Sequence, residues 1–420
     1  MSQRYDLLII GGGMVGASLA LALRGSGLRI AVIEAVAMDS GAQPSFDARA
    51  IALSHGSQRI FDSMGLWSAM VAATVSPIRH IQVSDRGHIG AMRMAAAEEG
   101  VEALGYVVEA AVIGRVLNQA LADSDDSIEM FCPARASAIE VLPDGVRLQL
   151  EHQGQTRQLH GALLVAADGG RSCVAEQLGG QYFSRSYGQC AIIANVIGER
   201  EHGGIAYERF TDSGPLALLP NCAPEWMDDG VAGERRWSLV WTVREQELEE
   251  HLQLDDAAFL ARLQQRLGRR AGPLLSVGPR RSYPLGLRFL RDHVRERLVF
   301  IGNAAHTLHP VAGQGFNLGL RDVACLAEVL HEQAAQGGDV GESTALQRYE
   351  KWRRNDYLRV MASTDTLARG FASNLLPLVV GRNLGLLATD LLPPLRRVLT
   401  RQMMGLSGRQ SRLARGAPGY

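Results

Sequence analysis

Short uninterrupted apolar runs alternate with stretches of helical period along the first part of the chain. Leu7 to Ile10 is apolar throughout, Met14 to Leu23 is rich in helix formers, and Arg29 to Ile33 is an apolar run again. The order predicts strand, helix, strand, which is a βαβ unit. From about Ser54 to Leu66 and from Ala110 to Leu121, apolar residues recur at helical spacing, and a connector carrying Pro77 and several glycines lies between them. Between Ile139 and Ala167 the period shortens to alternation, broken at Pro143-Asp144-Gly145 and Gln153-Gly154. Both are hairpin turn signals, so a β-meander is expected, ending at Leu163 to Ala167.

From Gln181 to about Pro284 the pattern changes to spaced strands rich in β-branched and aromatic residues, including Cys190 to Val196 and Trp237 to Val243. One polar helix, roughly Leu254 to Gly268, interrupts them with Phe259, Leu260, Leu263 and Leu267 on one face. Trp237 and Trp241 share a strand face, where core packing is the expected role. Leu298 to Ile301 reads as a buried strand running into Gly302, followed by a Gly-rich loop to Gly315 and a helix over Asn317 to Ala335. Beyond Tyr349 the chain turns helical, basic and apolar, through Leu384 to Leu387 and Leu391 to Arg397. Pro393-Pro394 and the arginines argue against a spanning helix. Two readings stay open: apolar stretches lying in a membrane interface or on a partner, and helices packed on a core of their own.

Composition narrows the function classes. Forty-three basic against 44 acidic residues leave a net charge of −1, too balanced for the broad basic field of a nucleic-acid binder. With 46% hydrophobic and 21% charged residues in 420, packed cores are expected and wholesale disorder is excluded. The five cysteines form no C-x-x-C pair, so neither a disulfide frame nor a zinc site is indicated. No export signal precedes Tyr5 to Ile10, and a cytoplasmic location is expected.

The chemistry begins at Gly11, Gly13 and Gly16, which complete G-x-G-x-x-G between the first strand and the first helix. Glycines there allow a tight turn and close approach of a pyrophosphate to backbone N–H groups at a helix N-terminus. Glu34 lies 18 residues past Gly16, where a carboxylate can accept from ribose hydroxyls. Together these features favour a bound dinucleotide. Asp168-Gly169 follows the meander, and Gly302-Asn303-Ala304-Ala305-His306 follows the late strand.

In this order the three segments resemble the fingerprints of the FAD-dependent aromatic hydroxylases. The stretch Thr307 to Asp322, with Asp47 to Ser54 and Ala206 to Pro220, is similar to the ubiquinone-biosynthesis hydroxylases over about residues 4 to 365. Asn303 departs from the Asp that most of the superfamily carries; its amide oxygen still accepts a hydrogen bond, without charge assistance. The resemblance implies an α/β fold like that of para-hydroxybenzoate hydroxylase, with a three-layer Rossmann-like FAD-binding domain, an interleaved β-sheet substrate domain and C-terminal helices. Residues 1–75, 105–180 and 285–350 would form the first, 76–104 and 181–284 the second, and 351–420 a helical region for membrane or partner contact.

What the resemblance implies chemically is a cycle in which NADPH or NADH reduces FAD, dioxygen adds, and the resulting hydroperoxide hydroxylates a polyprenylated methoxyphenol ring in ubiquinone biosynthesis. Gly11, Gly13, Gly16, Glu34, Arg49, Arg115, Asp168, Gly169, Gly302, Asn303, Gly313, Gln314, Gly315 and Asn317 are the expected FAD contacts, and Tyr207, His309 and Pro310 the candidates nearest the reacting ring. His306 and His309 are three apart, but no third ligand has suitable spacing, so no metal is expected. The expected partners are the polyprenylated phenol, dioxygen, the inner-membrane surface and other ubiquinone-biosynthesis proteins. Hydroxylation at another position of the same ring, and non-catalytic binding of FAD or a prenyl chain, are the alternatives.

Overall fold

The computed structural model describes residues 3–37, 49–223, 233–307, 313–372 and 376–417. Its first sheet is built on the strand Gln3–Ile10, which pairs in parallel with Ile30–Ile33 on one side and Gln155–Ala166 on the other. Ile128–Phe131 and Leu298–Phe300 extend it outward, also in parallel. Alternation sends successive side chains to opposite layers. Leu7 and Ile9 pack in one cluster with Leu19, Val112, Leu117 and Val323 of the helices Met14–Ala22, Ala110–Ala122 and Gln314–Ala335. Leu8 and Ile10 pack instead with Val146, Leu148 and Leu150 of the meander Ala134–Leu142, Gly145–His152 and Gln155–Ala166. Helices, parallel sheet and meander are thus the three layers expected.

The second sheet has nine strands centred on the long Tyr182–Gly198, antiparallel to Arg236–Arg244 and Arg281–Leu290. Gly214–Pro220 and Ile205–Thr211 follow, His80–Asp85 then joins parallel to Ile205–Thr211, and Ala91–Ala95 lies antiparallel to it at the edge. One face of this sheet is sealed by the helix Asp256–Leu267, whose Phe259, Leu263 and Leu267 pack with Trp237, Leu239 and Trp241. Both indoles are core residues, as their spacing indicated. Residues 76 to 95, read from sequence as part of a connector, form strands. Ser76–Ile78 pairs with Gly105–Glu109, which also pairs with Ala50–Ser54 to make a small third sheet. These strands are too short for a period to emerge.

Among the described residues, the last α-helices are Ser343–Ala372, Leu376–Leu391 and Pro393–Met403. The second is tied to the sheet edge at Asp85, which accepts from Arg382 Nε and Asn383 Nδ2, each at 2.8 Å. Leu386 and Met404 pack against Met92 and Met94 of the edge strand. The inner side of this region therefore packs on the sheet, while its outer side stays exposed. Among the described residues, no helix is long and apolar enough to cross a membrane.

Candidate active site

The glycine turn explains its own residue choice. Gly11 has φ of 101°, and a Cβ there would lie 2.5 Å from the Ala167 carbonyl oxygen. At Gly16 a Cβ would stand 1.8 Å from the Gly11 carbonyl oxygen, so the helix can approach the strand only without a side chain. Glu34 braces the turn: its carboxylate accepts from Gly12 N at 2.8 Å and from Val36 N at 2.7 Å. Two oxygens offer about four acceptor sites, so capacity for hydroxyl groups remains.

Three further segments converge on the same turn. Asp168 follows the strand Gln155–Ala166 and accepts from Val174 N at 3.2 Å through Oδ2, while its Oδ1 is buried with no hydrogen-bond partner. Gly302 opens a single helical turn with Asn303 exposed beside it. The helix Gln314–Ala335 begins after Gly313 with no side-chain cap. At Gly169 and Gly315 nothing stands within 4 Å of where a Cβ would sit.

All four segments line one cleft of about 1540 Å³, whose other wall is the uncovered face of the nine-stranded sheet. The strand register sets a row across that wall: Glu208 opposite Ala217, Ala217 opposite Val240, Val240 opposite Ile193, and Ile193 opposite Arg281. An apolar centre is thus bounded by a carboxylate and a guanidinium. Ile78, Ile81, Met94, Leu104 and Met403 continue the apolar lining toward the C-terminal helices.

Of the residues expected from sequence, Gly11, Gly13, Glu34, Arg49, Asp168, Gly169, Gly302, Asn303, Gly313, Gln314 and Gly315 line this cleft, and Gly16 acts through helix packing. Three expectations need correction. Tyr207 belongs to a strand on the cleft wall, but its ring packs in the sealed core, 5.7 Å from the Trp237 ring, and its hydroxyl donates to the Arg270 carbonyl at 3.2 Å. Burial pushes that phenol above its usual range, so it is a poor base. Alternation points the Glu208 side chain to the cleft, whereas Tyr207, although also part of the cleft lining, keeps its ring in the core. Asn317 lines the cleft yet uses its whole side chain on protein. Its Oδ1 accepts from Ser54 N at 2.8 Å and Ser57 Oγ at 2.7 Å, and its Nδ2 donates to the Ala52 and Gly313 carbonyls, each at 2.8 Å. That is the full capacity of an amide, so Asn317 fixes the helix start rather than a ligand. Arg115 is exposed on the helix Ala110–Ala122 and is not among the cleft-lining residues. His309 and Pro310 lie outside the described residues. Among those described, no cluster of metal-ligating side chains is present.

Sequence reasoning missed the group that holds the Gly302 turn. Asp322, fully buried on the helix Gln314–Ala335, accepts from Gly302 N at 3.1 Å, His306 Nε2 at 2.7 Å, Arg353 Nε at 2.8 Å and Tyr357 Oη at 2.7 Å. Burial alone would raise its pKa, but the Arg353 charge and the bonds from His306 and Tyr357 hold the carboxyl far below its ordinary range. The signal was a lone acid among Leu318, Leu320, Val323 and Leu326. His306 is thereby a partner of Asp322, not half of a metal pair.

Beside this network, His293 is buried with neither ring nitrogen bonded, and burial pulls its pKa from 6.5 down to about 4. A folded state that keeps the ring neutral binds fewer protons than the unfolded chain, so this group costs stability as pH falls from 6.5 toward 4. The expected penalty is roughly 3 kcal/mol at full effect. Urea titrations should show the acid-side loss reduced by that amount in His293→Leu; an unchanged pH slope would contradict the assignment.

The residues present fit a bound FAD. The orphaned Asp168 Oδ1 and the open room at Gly169 and Gly315 offer polar contact and space on one side of the cleft. Such a cofactor, when bound, supplies electron acceptance from NAD(P)H and activation of dioxygen. Fold and cleft together are those of a flavin-binding protein with an adjoining apolar site. The chain belongs to the FAD binding domain family, which it matches over residues 4–364.

It is 39% identical over 419 residues to a protein named ubiquinone hydroxylase UbiL of Rhodospirillum rubrum, covering 98% of this chain and 93% of that protein. It is 31% identical to the 3-demethoxyubiquinol 3-hydroxylase of Escherichia coli, covering 96% and 100%, and 30% identical to the mitochondrial ubiquinone biosynthesis monooxygenase COQ6 of Xenopus tropicalis, covering 93% and 91%. Among solved structures, p-nitrophenol 4-monooxygenase PnpA from Pseudomonas putida shares the fold, with a TM-score of 0.76 at 20% identity over 97% of this chain and 100% of that one.

Proposed function

We propose that the protein is the FAD-dependent monooxygenase of ubiquinone biosynthesis that hydroxylates a polyprenylated methoxyphenol ring. The observation that carries this reading is the single cleft that joins the glycine turns to an apolar sheet face and continues along Ile81, Met94 and Met403. The glycine turns, Glu34, Arg49, Asp168 and Asn303 hold FAD, and residues 76–104 with 181–284 serve as the substrate domain. A phenol ring rests on Ala217, Val240 and Ile193, and the prenyl chain follows the apolar lining. Glu208 and Arg281, at opposite ends of the row, orient the ring hydroxyl. The apolar wall disfavours water beside the reacting atoms, which limits loss of reducing equivalents as hydrogen peroxide.

Hydroxylation at another position of the same ring is the second reading, favoured by the likeness to the 3-demethoxyubiquinol 3-hydroxylase. The enzyme works at the inner-membrane surface beside other ubiquinone-biosynthesis proteins, because a long prenyl chain partitions into lipid at about 0.8 kcal/mol per methylene. The test is oxidation of NADPH and NADH with a short-chain 2-prenyl-6-methoxyphenol, followed by product analysis. A substrate-stimulated rate and a hydroxylated ring are expected. Ala217→Trp, which fills the row, should lower kcat/KM for the phenol about a hundredfold, roughly 2.7 kcal/mol, while FAD stays bound. Unstimulated oxidation with no hydroxylated product would refute the proposal.

A further inference from the structure

The outer side of the C-terminal helices carries a feature that the cleft does not account for. Twelve large apolar side chains stand exposed among the described residues, and six of them fall between Val380 and Val398. Val380, Leu384 and Leu391 repeat at helical spacing on one face of Leu376–Leu391, and Leu395 and Val398 continue it on Pro393–Met403. Ile89, 81% exposed, sits at a hairpin tip held beside them, because Gly90 N donates to Asn383 Oδ1 at 2.8 Å. Such a concentration of exposed apolar side chains marks a contact surface.

Charge says what covers it. Residues 376–417 contain seven arginines and no lysine, with Asp390 as their single acid, although Arg382 and Arg396 are paired with Asp85 and Glu98. Arg397 and Arg401 are exposed on the helix that carries Leu395 and Val398. Asp390 is itself engaged by the backbone N–H of Arg93 at 2.9 Å. Apolar side chains flanked by arginines complement an anionic bilayer, whose acyl boundary takes the first and whose phosphates take the second.

Position ties this surface to the cleft. Thr400 and Met403, from the same helix Pro393–Met403, line the cleft, while Leu395 and Val398 face outward. One helix, about 10 Å across, therefore separates the cleft from the exposed stripe. We propose that the helices Leu376–Leu391 and Pro393–Met403, with Ile89, dock the enzyme on an anionic lipid surface so that the apolar end of its cleft opens at the membrane. The purpose rests on the reading of the substrate as a prenylated phenol; the docking is tested without any substrate.

The test is co-sedimentation of the FAD-loaded enzyme with vesicles of phosphatidylglycerol and phosphatidylcholine, against vesicles of phosphatidylcholine alone. Binding to the anionic vesicles is expected, weakened about tenfold or more by Leu391→Glu with Leu395→Glu, and similarly by Arg397→Glu with Arg401→Glu. Both double variants should keep their flavin absorbance, melting temperature and rate with a short-chain soluble phenol. Equal binding by either folded variant, or no binding by the wild type, overturns the proposal. So does a wild-type dimer that the variants disperse without any vesicle binding, which would assign the stripe to a second copy. Vesicle binding without hydroxylation would leave the docking surface standing and remove the functional reading.

Discussion

Gly16→Ala is expected to weaken FAD binding by about a hundredfold or more, equivalent to roughly 2.7 kcal/mol. The reason is steric and local. The new Cβ would lie 1.8 Å from the carbonyl oxygen of Gly11, a backbone atom that cannot rotate away. The helix Met14–Ala22 must then lift from the strand Gln3–Ile10, and the turn whose N–H groups would face the cofactor is displaced with it. Overpacking at such a contact costs about 1–3 kcal/mol of stability, which a large three-layer core can absorb. Flavin fluorescence on titration with FAD reads the affinity, and a thermal melt reads the fold. Wild-type affinity in a folded Gly16→Ala protein would mean that this turn does not hold the cofactor.

Asp322→Leu is expected to destabilise the protein by about 3–5 kcal/mol, because it strips the buried Arg353 of the fully buried one of its two carboxylate partners and leaves it with the part-exposed Asp356 alone. Arg353 is fully buried beside Asp322, so water cannot take over the lost interaction. The variant also removes the acceptor for Gly302 N, and the Asn303 turn loosens in consequence. The double variant Asp322→Leu with Arg353→Leu should recover part of the loss, since it removes the buried guanidinium that Asp322 no longer balances, while Asp356 keeps its pair with Arg321. The carboxylate's stabilisation is present above its ordinary value of 3.8, and it is lost as pH falls through the much lower folded value. Of the two groups, it is therefore His293 and not Asp322 that costs stability between pH 6.5 and about 4. Urea titrations of the two variants check both points, and a double variant less stable than the single one would contradict the ion-pair account.

The parallel sheet was legible because its strands are buried on both faces and read as unbroken apolar runs between glycines, as at Leu7 to Ile10. The meander announced itself through its turn residues. What escaped was set by tertiary pairing: Ala50–Ser54 and Ser76–Ile78 are strands because Gly105–Glu109 lies between them, which no local period records. The site followed the same division. Glycines that shape a turn carry their reason in the sequence, whereas the facing of Tyr207 depended on a register fixed by partner strands. Asn317 and Asp322 show the limit most clearly. Both are polar residues on one helix, and only their hydrogen-bond partners distinguish a buried brace from an open ligand contact.

The claim that the cleft unites an FAD cradle with an apolar site for a phenol ring is tested most directly by isotopically labelled dioxygen. Purified enzyme, NADPH or NADH, and a short-chain prenylated methoxyphenol should give a ring hydroxylated with one labelled oxygen, in step with the nicotinamide consumed. Label found only in hydrogen peroxide and water, with the phenol unchanged, would contradict it.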